Sequence, residues 1–259
     1  IVRVLREEGT VRSPSIVVVD YHKGNLSSVV RGFARAGAEA YASDDPACVR
    51  AADGIVIPGV GSFYDAISYM SESGLDQAVL EAAAANKPIL GICLGLQLLL
   101  DRGDEGIPED ATAVPAEDAY GADVAPATVF EAGGKCWARG LGLVHGSCSR
   151  LESSRLKVPH VGWDQVHLTG EGAASPLLRG FPEGANMYFT HSYAAGLDVS
   201  AANTLGHTHY TRSFACMVQR GRVFGCQFHP EKSSARGLRL IENFVGIVED
   251  AVADREVDA

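Results

Sequence analysis

The sequence predicts an α/β fold: a doubly wound, mostly parallel sheet with helices on both faces, together with a smaller antiparallel sheet region. The first observation is the apolar run of residues 15–20, closed by Asp20, which is typical of a buried central strand. The second is the alternation of such runs with helical stretches, because strand–helix units build parallel sheets with right-handed crossovers. The third is the change after Leu141 to short strands and turns, which predicts the antiparallel region.

The expected elements alternate up to about residue 100, and short strands follow after residue 141. Gly37 ends the first helix, because glycine is favoured just beyond a helix C-terminus. The turns after the third and fourth strands lie at the carboxyl edge of the sheet, where open α/β folds bind ligands. We expect strands at residues 15–20, 38–42, 54–58, 88–92, 142–145, 166–168, 187–190, 215–219 and 223–228, and helices at 25–36, 46–51, 76–85, 94–100 and 234–248.

The chain of 259 residues is interpreted as one main domain over residues 15–248, with charged segments outside and within it. Residues 1–14 end in Ser-Pro and are expected to form a partly disordered N-terminal extension. Residues 101–131 hold nine acidic residues and one basic residue, which favours an inserted, solvated loop. Residues 249–259 add five acidic residues and are expected to be a frayed acidic tail. A source adapted to high salt is the alternative explanation.

Composition argues against several classes of function. A net charge of −10 argues against general nucleic-acid binding, which depends on basic patches. No stretch approaches the roughly 20 continuous apolar residues of a membrane span, and the first residues lack the apolar core of a secretory signal. A soluble cytoplasmic protein is therefore expected. The six cysteines form no CxxC pair, so the spacing of a zinc or dithiol-redox site is missing, and we expect no metal and no cofactor.

One cysteine has a local sequence that indicates chemistry. Cys93 lies in Gly91-Ile-Cys-Leu-Gly95, between an expected buried strand and an expected helix, which is the thiol form of a nucleophile elbow. The glycines permit a sharp turn, and a position at a helix N-terminus favours the thiolate. The backbone N–H of Leu94 would then point at a developing oxyanion. The alternative is a buried cysteine that lies beside glycines by chance.

A second segment, Phe224-Gly-Cys-Gln-Phe-His-Pro-Glu231, ends in His-Pro-Glu. Residues two apart in an extended chain face the same side, so the side chains of His229 and Glu231 can lie together. Pro230 keeps the preceding residue extended. A carboxylate beside an imidazole selects its tautomer and stabilises its charged form, which is the role of the third member of a catalytic triad. The alternative is a surface histidine near a glutamate.

A third segment, Pro58-Gly-Val-Gly-Ser-Phe63, directly follows the third expected strand. A glycine-flanked turn at the carboxyl edge of a parallel sheet can present backbone N–H groups to a ligand. Reorientation of one peptide there would complete an oxyanion hole. An ordinary tight turn is the alternative.

These three segments together resemble the class I glutamine amidotransferase family, which has a Cys-His-Glu triad. The resemblance extends from about residue 16 to about residue 245, apart from residues 101–131. Within the family, the chain is similar to the members that serve a (β/α)8-barrel cyclase in histidine biosynthesis. The segments that carry this similarity are residues 20–26, 58–63, 157–163 (Lys-Val-Pro-His-Val-Gly-Trp) and 188–193 (Tyr-Phe-Thr-His-Ser-Tyr), supported by 140–144 and 229–233.

The resemblance implies the family's fold and the roles of particular residues. Cys93 is implied as the nucleophile, His229 as the general acid and base, and Glu231 as the residue that orients His229. Glutamine is implied as the substrate. The implied oxyanion-hole positions are the backbone N–H groups of Val60 and Leu94, and the implied substrate-binding residues are Gly61, Gln97, Ser192 and Tyr193.

The resemblance also implies a protein partner. The family members in question form a heterodimer with the barrel cyclase, which consumes the ammonia, and hydrolysis stays low until the partner binds its own ligand. The implied interface residues are Lys157, Pro159, His160 and Trp163. Three alternatives remain open: an amidotransferase subunit that serves anthranilate, aminodeoxychorismate or a nucleotide; a self-contained cysteine hydrolase of γ-glutamyl compounds; and a catalytically inactive regulatory subunit.

Overall fold

The computed structural model describes residues 13–22, 26–120 and 124–257. Most of the predicted N-terminal extension, residues 1–12, lies outside the described residues. The strands are β1 (Ser15–Val19), β2 (Glu39–Ser43), β3 (Gly54–Ile57), β4 (Ile89–Ile92), β5 (Leu100–Gly103), β6 (Val114–Pro115), β7 (Val129–Ala132), β8 (Lys135–Arg139), β9 (Val144–Arg150), β10 (His160–Leu168), β11 (Ala185–His191), β12 (Tyr193–Ala195), β13 (Thr204–His209), β14 (Ser213–Arg220) and β15 (Val223–Cys226). The helices are α1 (Leu26–Arg35), α2 (Pro46–Ala51), α3 (Phe63–Ser73), α4 (Leu75–Ala84), α5 (Leu94–Leu98), α6 (Gly170–Ala174) and α7 (Ser234–Val257).

The larger sheet, within the described ranges, has nine strands in the order β11-β10-β13-β14-β15-β4-β3-β1-β2. Strands β2, β1, β3, β4 and β15 pair in parallel. From β15 outward, β14, β13, β10 and β11 pair antiparallel. Strands β1, β3 and β4 are buried along their whole length, which explains their continuous apolar sequences. The predicted α/β fold class is confirmed.

A second sheet of six strands, counted over the same described ranges, has the order β12-β9-β5-β8-β7-β6. The sequence suggested that residues 101–131 form a solvated loop, but the two ends of that segment are strands β5 and β7 of this sheet. The ring of Trp137 lies beneath the charged groups of Arg102 and Lys135, which are 4.5 and 4.2 Å from its centroid. The acidic segment is therefore anchored at both ends.

Two helices differ from the expectation. Helix α3 was not predicted, although its buried residues Phe63, Ala66, Ile67 and Met70 recur at helical spacing. It begins after Ser62, whose hydroxyl accepts a hydrogen bond from the N–H of Asp65 at 3.4 Å. Helix α5 was expected to continue to residue 100 but ends at Leu98, because the chain there enters β5 and joins the second sheet.

The last helix is longer than expected. Helix α7 continues to Val257, so residues 249–257 are helical where a frayed tail was expected. Ala251 is buried, and a guanidinium nitrogen of Arg255 lies 3.4 Å from the carboxylate of Asp53. That carboxylate also accepts hydrogen bonds from the N–H and hydroxyl of Ser15 at the start of β1. None of the helices in the described part of the chain has the length and apolar character that a membrane crossing needs.

Substitution of Gly54 tests how closely α7 packs on β3. A Cβ at this position would lie 2.6 Å from Cγ2 of Val248. The Gly54→Ala variant should therefore lose roughly 1–3 kcal/mol of unfolding free energy through overpacking. Gly246→Ala is the matched control, because a Cβ there meets nothing within 4 Å. This control should gain about 0.5–1 kcal/mol, since it removes a glycine from a helix.

Denaturant unfolding of both variants measures these changes. Equal stability of the Gly54→Ala variant and the unchanged chain would contradict the close packing of α7 on β3.

Candidate active site

Cys93 lies at a sharp turn between β4 and α5. Its φ of 56° lies in the left-handed region, which a non-glycine residue rarely occupies. Two glycines permit the packing that holds this turn. A Cβ at Gly91 would lie 2.5 Å from the carbonyl oxygen of Gly95, and a Cβ at Gly95 would overlap the carbonyl oxygen of Ile57. This backbone arrangement is that of a nucleophile elbow, and it faces Cys93 away from the sheet.

The turn of residues 58–62, here called the glycine turn, packs directly on the start of α5. A Cβ at Gly59 would lie 2.7 Å from Cβ of Leu94 and would overlap the hydroxyl of Tyr21. The Tyr21 hydroxyl donates a hydrogen bond to the carbonyl oxygen of Pro58. Gly61 has a φ of 113°, which favours glycine at that position. The contacts at Gly59 therefore place Val60 beside the turn that carries Cys93.

A cleft of about 200 Å³ opens over Cys93. The predicted oxyanion residues Val60 and Leu94 line it, and so do all four predicted substrate-binding residues. Three lining residues were not predicted. The lining residues are Val60, Gly61, Cys93, Leu94, Gln97, Glu105, Thr190, His191, Ser192 and Tyr193.

His229 and Glu231 form a buried pair, as the His-x-Glu spacing suggested. Nδ1 of His229 lies 2.8 Å from Oε1 of Glu231, and both side chains are 4% exposed. Since the carboxylate accepts the proton on Nδ1, the other ring nitrogen is the one available for catalysis. Nε2 is buried and has no hydrogen-bond partner among the described residues. Burial lowers the pKa of His229, but the Cys93 sulfur and the Glu231 carboxylate outweigh it and raise the pKa to about 9.

The backbone of His229 is held by strand β11. Its N–H donates to the carbonyl oxygen of Tyr188 at 2.9 Å. The Ser233 hydroxyl donates to the carbonyl oxygen of His229 at 2.6 Å and accepts from the N–H of Tyr188 at 3.0 Å. Strand β11 also approaches Cys93, because Sγ lies 3.9 Å from the carbonyl oxygen of Thr190. The positions of Cys93 and His229 therefore both depend on β11.

Two glutamines connect Cys93 with the wall of the cleft. The amide nitrogen of Gln227 lies 3.6 Å from Sγ of Cys93. The side chain of the predicted residue Gln97 donates to the Gln227 side chain at 3.2 Å and to the carbonyl oxygen of Tyr193 at 2.9 Å. Gln227 was not predicted, although it lies only two residues before His229 and is fully buried. An amide side chain two residues before the His-x-Glu motif was the sequence signal that could have identified it.

Glu105 was also not predicted from the sequence. It lies in the segment interpreted as a solvated loop, yet its side chain lines the cleft. Its carboxylate accepts a hydrogen bond from the N–H of Phe63 at 3.2 Å, at the start of α3 and directly after the glycine turn. Burial raises the pKa of Glu105 to about 7, and this hydrogen bond opposes the rise. The abundance of acidic residues around Glu105 concealed it in the sequence.

The residues expected at a partner interface divide into two groups. Lys157, Pro159 and Trp163 are exposed, and Trp163 is 53% accessible. His160 is 3% exposed, so its side chain lies beneath the surface in the chain alone, and its contact with a partner stays a prediction. Side chains alternate along β10, and this alternation directs His160 inward and Val161 outward. No group of three or more histidine, cysteine or acidic side chains among the described residues could hold a metal ion.

Comparison with known proteins agrees with the geometry. The sequence model of the family Glutamine amidotransferase class-I matches residues 17–247. The chain therefore belongs to the class I glutamine amidotransferase family, and it is an enzyme of that class, as the sequence predicted.

Two similar proteins carry the same name, Imidazole glycerol phosphate synthase subunit HisH. The chain is 42% identical to the one from Symbiobacterium thermophilum, over 93% of this chain and 97% of that protein. It is 40% identical to the one from Moorella thermoacetica, over 91% of this chain and 96% of that protein. Among solved structures, PurLQS from Thermotoga maritima matches with a TM-score of 0.62 and 16% identity, covering 91% of this chain and 99% of that chain. This last likeness supports the fold alone.

The contact between His229 and Glu231 should make the stability of the protein depend on pH. Because the pKa of His229 is raised above its ordinary value, the stability from this contact is present below about pH 6.5 and is lost as pH rises through about 9. Glu231→Gln should lower the pKa of His229 by removing the carboxylate while burial remains. NMR titration of the imidazole in the full chain measures this change.

Glu183→Gln is the matched control, because Glu183 pairs with His167 at 2.9 Å on the surface. It should leave the titration of His229 unchanged. A pKa of His229 that stays near 9 in Glu231→Gln would show that the carboxylate does not stabilise the charged imidazole.

Proposed function

We propose that this chain is the glutaminase subunit of imidazole glycerol phosphate synthase in histidine biosynthesis. It hydrolyses glutamine to glutamate and ammonia through Cys93, His229 and Glu231, and passes the ammonia to a (β/α)8-barrel cyclase subunit. The observation that carries the hydrolytic part is the cleft in which Cys93, the glycine turn and the predicted substrate-binding residues meet. The name shared by the similar proteins supports the pathway.

In the first half of the reaction, the thiolate of Cys93 attacks the side-chain amide carbon of glutamine. The carbonyl oxygen gains negative charge, which the backbone N–H groups of Leu94 and, after reorientation, Val60 stabilise. The charged imidazole of His229 then gives its proton to the departing nitrogen as the carbon–nitrogen bond breaks. The products of this half are ammonia and a glutamyl thioester on Cys93.

In the second half, His229 acts as a base. Its neutral Nε2 takes a proton from water while the water oxygen attacks the thioester carbon. The carbon–sulfur bond breaks, which releases glutamate and regenerates the Cys93 thiolate beside a charged His229. Glu231 keeps the proton on Nδ1 in both halves, so Nε2 is always the nitrogen that exchanges protons.

The cleft offers groups for the two ends of glutamine. Gly61, Gln97, Ser192 and Tyr193 surround the space over Cys93 and are proposed to hold the substrate. Glu105 lies in the same cleft and has the chemistry to pair with the α-ammonium group of the amino acid. This assigns to the acidic segment a contribution to substrate binding that its composition did not suggest.

The barrel partner is proposed to dock on the exposed face of β10. Val161 and Trp163 expose 57% and 53% of their surfaces there, and exposed aromatic and aliphatic side chains are typical of interface centres. Trp163 contacts Tyr188 of β11 edge to face, with ring centroids 5.9 Å apart. The Tyr188 carbonyl oxygen accepts a hydrogen bond from the N–H of His229. A partner that docks on Trp163 is therefore connected to His229 through Tyr188.

The alternative functions differ in the hydrolytic activity expected of the chain with and without a partner. A self-contained hydrolase of γ-glutamyl compounds would be fully active without a partner. Another amidotransferase subunit would respond to a different synthase. The presence of Cys93, His229 and Glu231 together disfavours an inactive regulatory subunit, which would need none of them for hydrolysis.

Glutamine hydrolysis with and without the partner separates these alternatives. The chain alone should be weakly active, and an imidazole glycerol phosphate cyclase with its ribonucleotide ligand should raise the rate at least about fivefold, within the usual range of coupling between sites. Cys93→Ala should abolish the stimulated activity, whereas Cys136→Ala, which changes an exposed free cysteine, should retain it. Strong activity alone that the partner leaves unchanged would rule out the synthase subunit.

Glu105 makes a second prediction. Glu105→Gln should raise the KM for glutamine roughly tenfold or more, the usual worth of a hydrogen bond to a charged group. In the unchanged chain, the KM should rise as pH falls through about 7, because protonation removes the negative charge of Glu105. The variant should lose this pH dependence. Glu131→Gln, which changes an exposed residue of β7, is the control, and an unchanged KM in Glu105→Gln would exclude the ammonium contact.

A further inference from the structure

Three contacts join Asp164 on β10 to Tyr193 in the cleft through two buried histidines. Oδ2 of Asp164 lies 3.4 Å from Nε2 of His160. Nδ1 of His160 lies 3.2 Å from Nε2 of His191. Nδ1 of His191 lies 2.8 Å from the carbonyl oxygen of Tyr193. The two ring nitrogens of each histidine therefore face different neighbours, and the contacts form one continuous chain.

The number of available hydrogens limits which of these three contacts can be hydrogen bonds at the same time. Each of the three contacts needs one hydrogen, and both ends of the chain, a carboxylate and a carbonyl, only accept. Two neutral imidazoles supply two hydrogens, so one contact lacks a hydrogen unless a third proton is bound. The contact to Tyr193 is the shortest and its oxygen cannot donate, so His191 carries its hydrogen on Nδ1.

The remaining assignments follow from that one. Nε2 of His191 is then an acceptor, so His160 donates to it from Nδ1. The missing hydrogen falls between Nε2 of His160 and Asp164, whose side chain is 32% exposed. Of the two side chains in this contact, Asp164 is the one that solvent reaches. A missing hydrogen bond costs less free energy where water can hydrogen-bond to one of the partners.

The surroundings hold the two rings in place. His160 is stacked between Tyr210 and Phe189, with ring centroids 4.1 and 4.9 Å apart. The Tyr210 hydroxyl donates to the carbonyl oxygen of Lys157 rather than to the histidine. The ring of Phe214 meets both histidines edge on.

The charged and titratable groups around the two rings act in opposite directions. His160 faces Asp164 on its own strand, His191 on β11 and Tyr210. Burial lowers the pKa of His160, and Asp164 opposes this effect. Burial also lowers the pKa of His191, to about 3, and the charges of His160, His229 and Arg212 act in the same direction. The third proton, which allows all three contacts to be hydrogen bonds, is therefore expected to bind His160 beside Asp164.

We propose that His160 and His191 are positioning residues for glutamine hydrolysis, which hold the Tyr193 carbonyl oxygen in the cleft through the hydrogen bonds from His160 to His191 and from His191 to Tyr193. The inference rests on the proposed function. The Tyr193 carbonyl oxygen that accepts from His191 also accepts from the amide of Gln97. Through Gln227, Gln97 is connected to Sγ of Cys93. The chain of contacts thus runs from the β10 face to the nucleophile.

Two substitutions of His160 separate positioning from packing. In His160→Asn, the amide nitrogen takes the place of Nδ1 and can still donate to His191. His160→Leu fills similar space but cannot donate. We expect His160→Leu to raise the KM for glutamine roughly tenfold, the worth of one buried hydrogen bond, and His160→Asn to stay within about twofold. Tyr210→Phe keeps the stacked ring and should leave the KM unchanged.

NMR of the full chain with 15N-labelled histidine reads the protons directly. At pH 8, both His160 and His191 should carry hydrogen on Nδ1 alone. As pH falls, His160 should gain a second proton while His191 stays neutral. Asp164→Asn should move the protonation of His160 to lower pH. The substitution removes the carboxylate charge that favours the charged imidazole, and the new amide can donate to a neutral Nε2.

Two results would overturn the inference. One is a His160 that carries its hydrogen on Nε2 at pH 8, and the other is a His160→Asn variant with a KM as high as that of His160→Leu. Hydrolysis by the unchanged chain distinguishes these from failure of the proposed function. If that chain, with its cyclase partner, hydrolyses no glutamine, the proposed function fails and the positioning role fails with it.

Discussion

The contact between Gly95 and the carbonyl group of Ile57 is the constraint on which the site depends. Any side chain at residue 95 would overlap that carbonyl oxygen, so the first turn of α5 packs on the backbone of β3 without a side chain between them. Gly91 permits the matching contact from β4. These contacts hold Cys93 at a φ of 56°, a conformation that costs on the order of 1–3 kcal/mol for a non-glycine residue. The parallel core of the sheet offsets that cost.

Buried charged groups lie around Cys93. His229 and Glu231 are both almost inaccessible, and the loss of hydration opposes charge on the imidazole. Cys93 and Glu231 reverse that tendency and raise the pKa of His229. The neighbouring His191 has the opposite balance, because burial lowers its pKa to about 3 and the charges of His160, His229 and Arg212 act in the same direction. Two histidines in one region thus favour different states: His229 favours the charged state, and His191 stays neutral and donates to a carbonyl oxygen.

The local features of the fold and site were predictable from the sequence, whereas those that depend on distant packing were not. Cys93 and the His229–Glu231 pair are set by the backbone conformation of a few consecutive residues, and glycine and proline mark those conformations. Glu105 enters the cleft because β5 brings its segment to the start of α3, where the N–H of Phe63 donates to its carboxylate; an acid-rich composition conceals this tertiary contact. His160 was expected at the surface although the alternation along β10 directs it inward. Helix α7 extends past its expected end, where Ala251 is buried and Arg255 contacts Asp53, and no local signal reveals these contacts.

Covalent labelling of Cys93 tests the central claim most directly. A glutamine analogue with a chloromethyl ketone in place of the side-chain amide offers the same cleft an electrophilic carbon. We predict one adduct per chain, located on Cys93 by peptide mass mapping, blocked by excess glutamine and formed in proportion to the loss of hydrolysis. Complete modification of Cys93 with hydrolysis intact, or loss of hydrolysis with the adduct on another of the six cysteines, would contradict it.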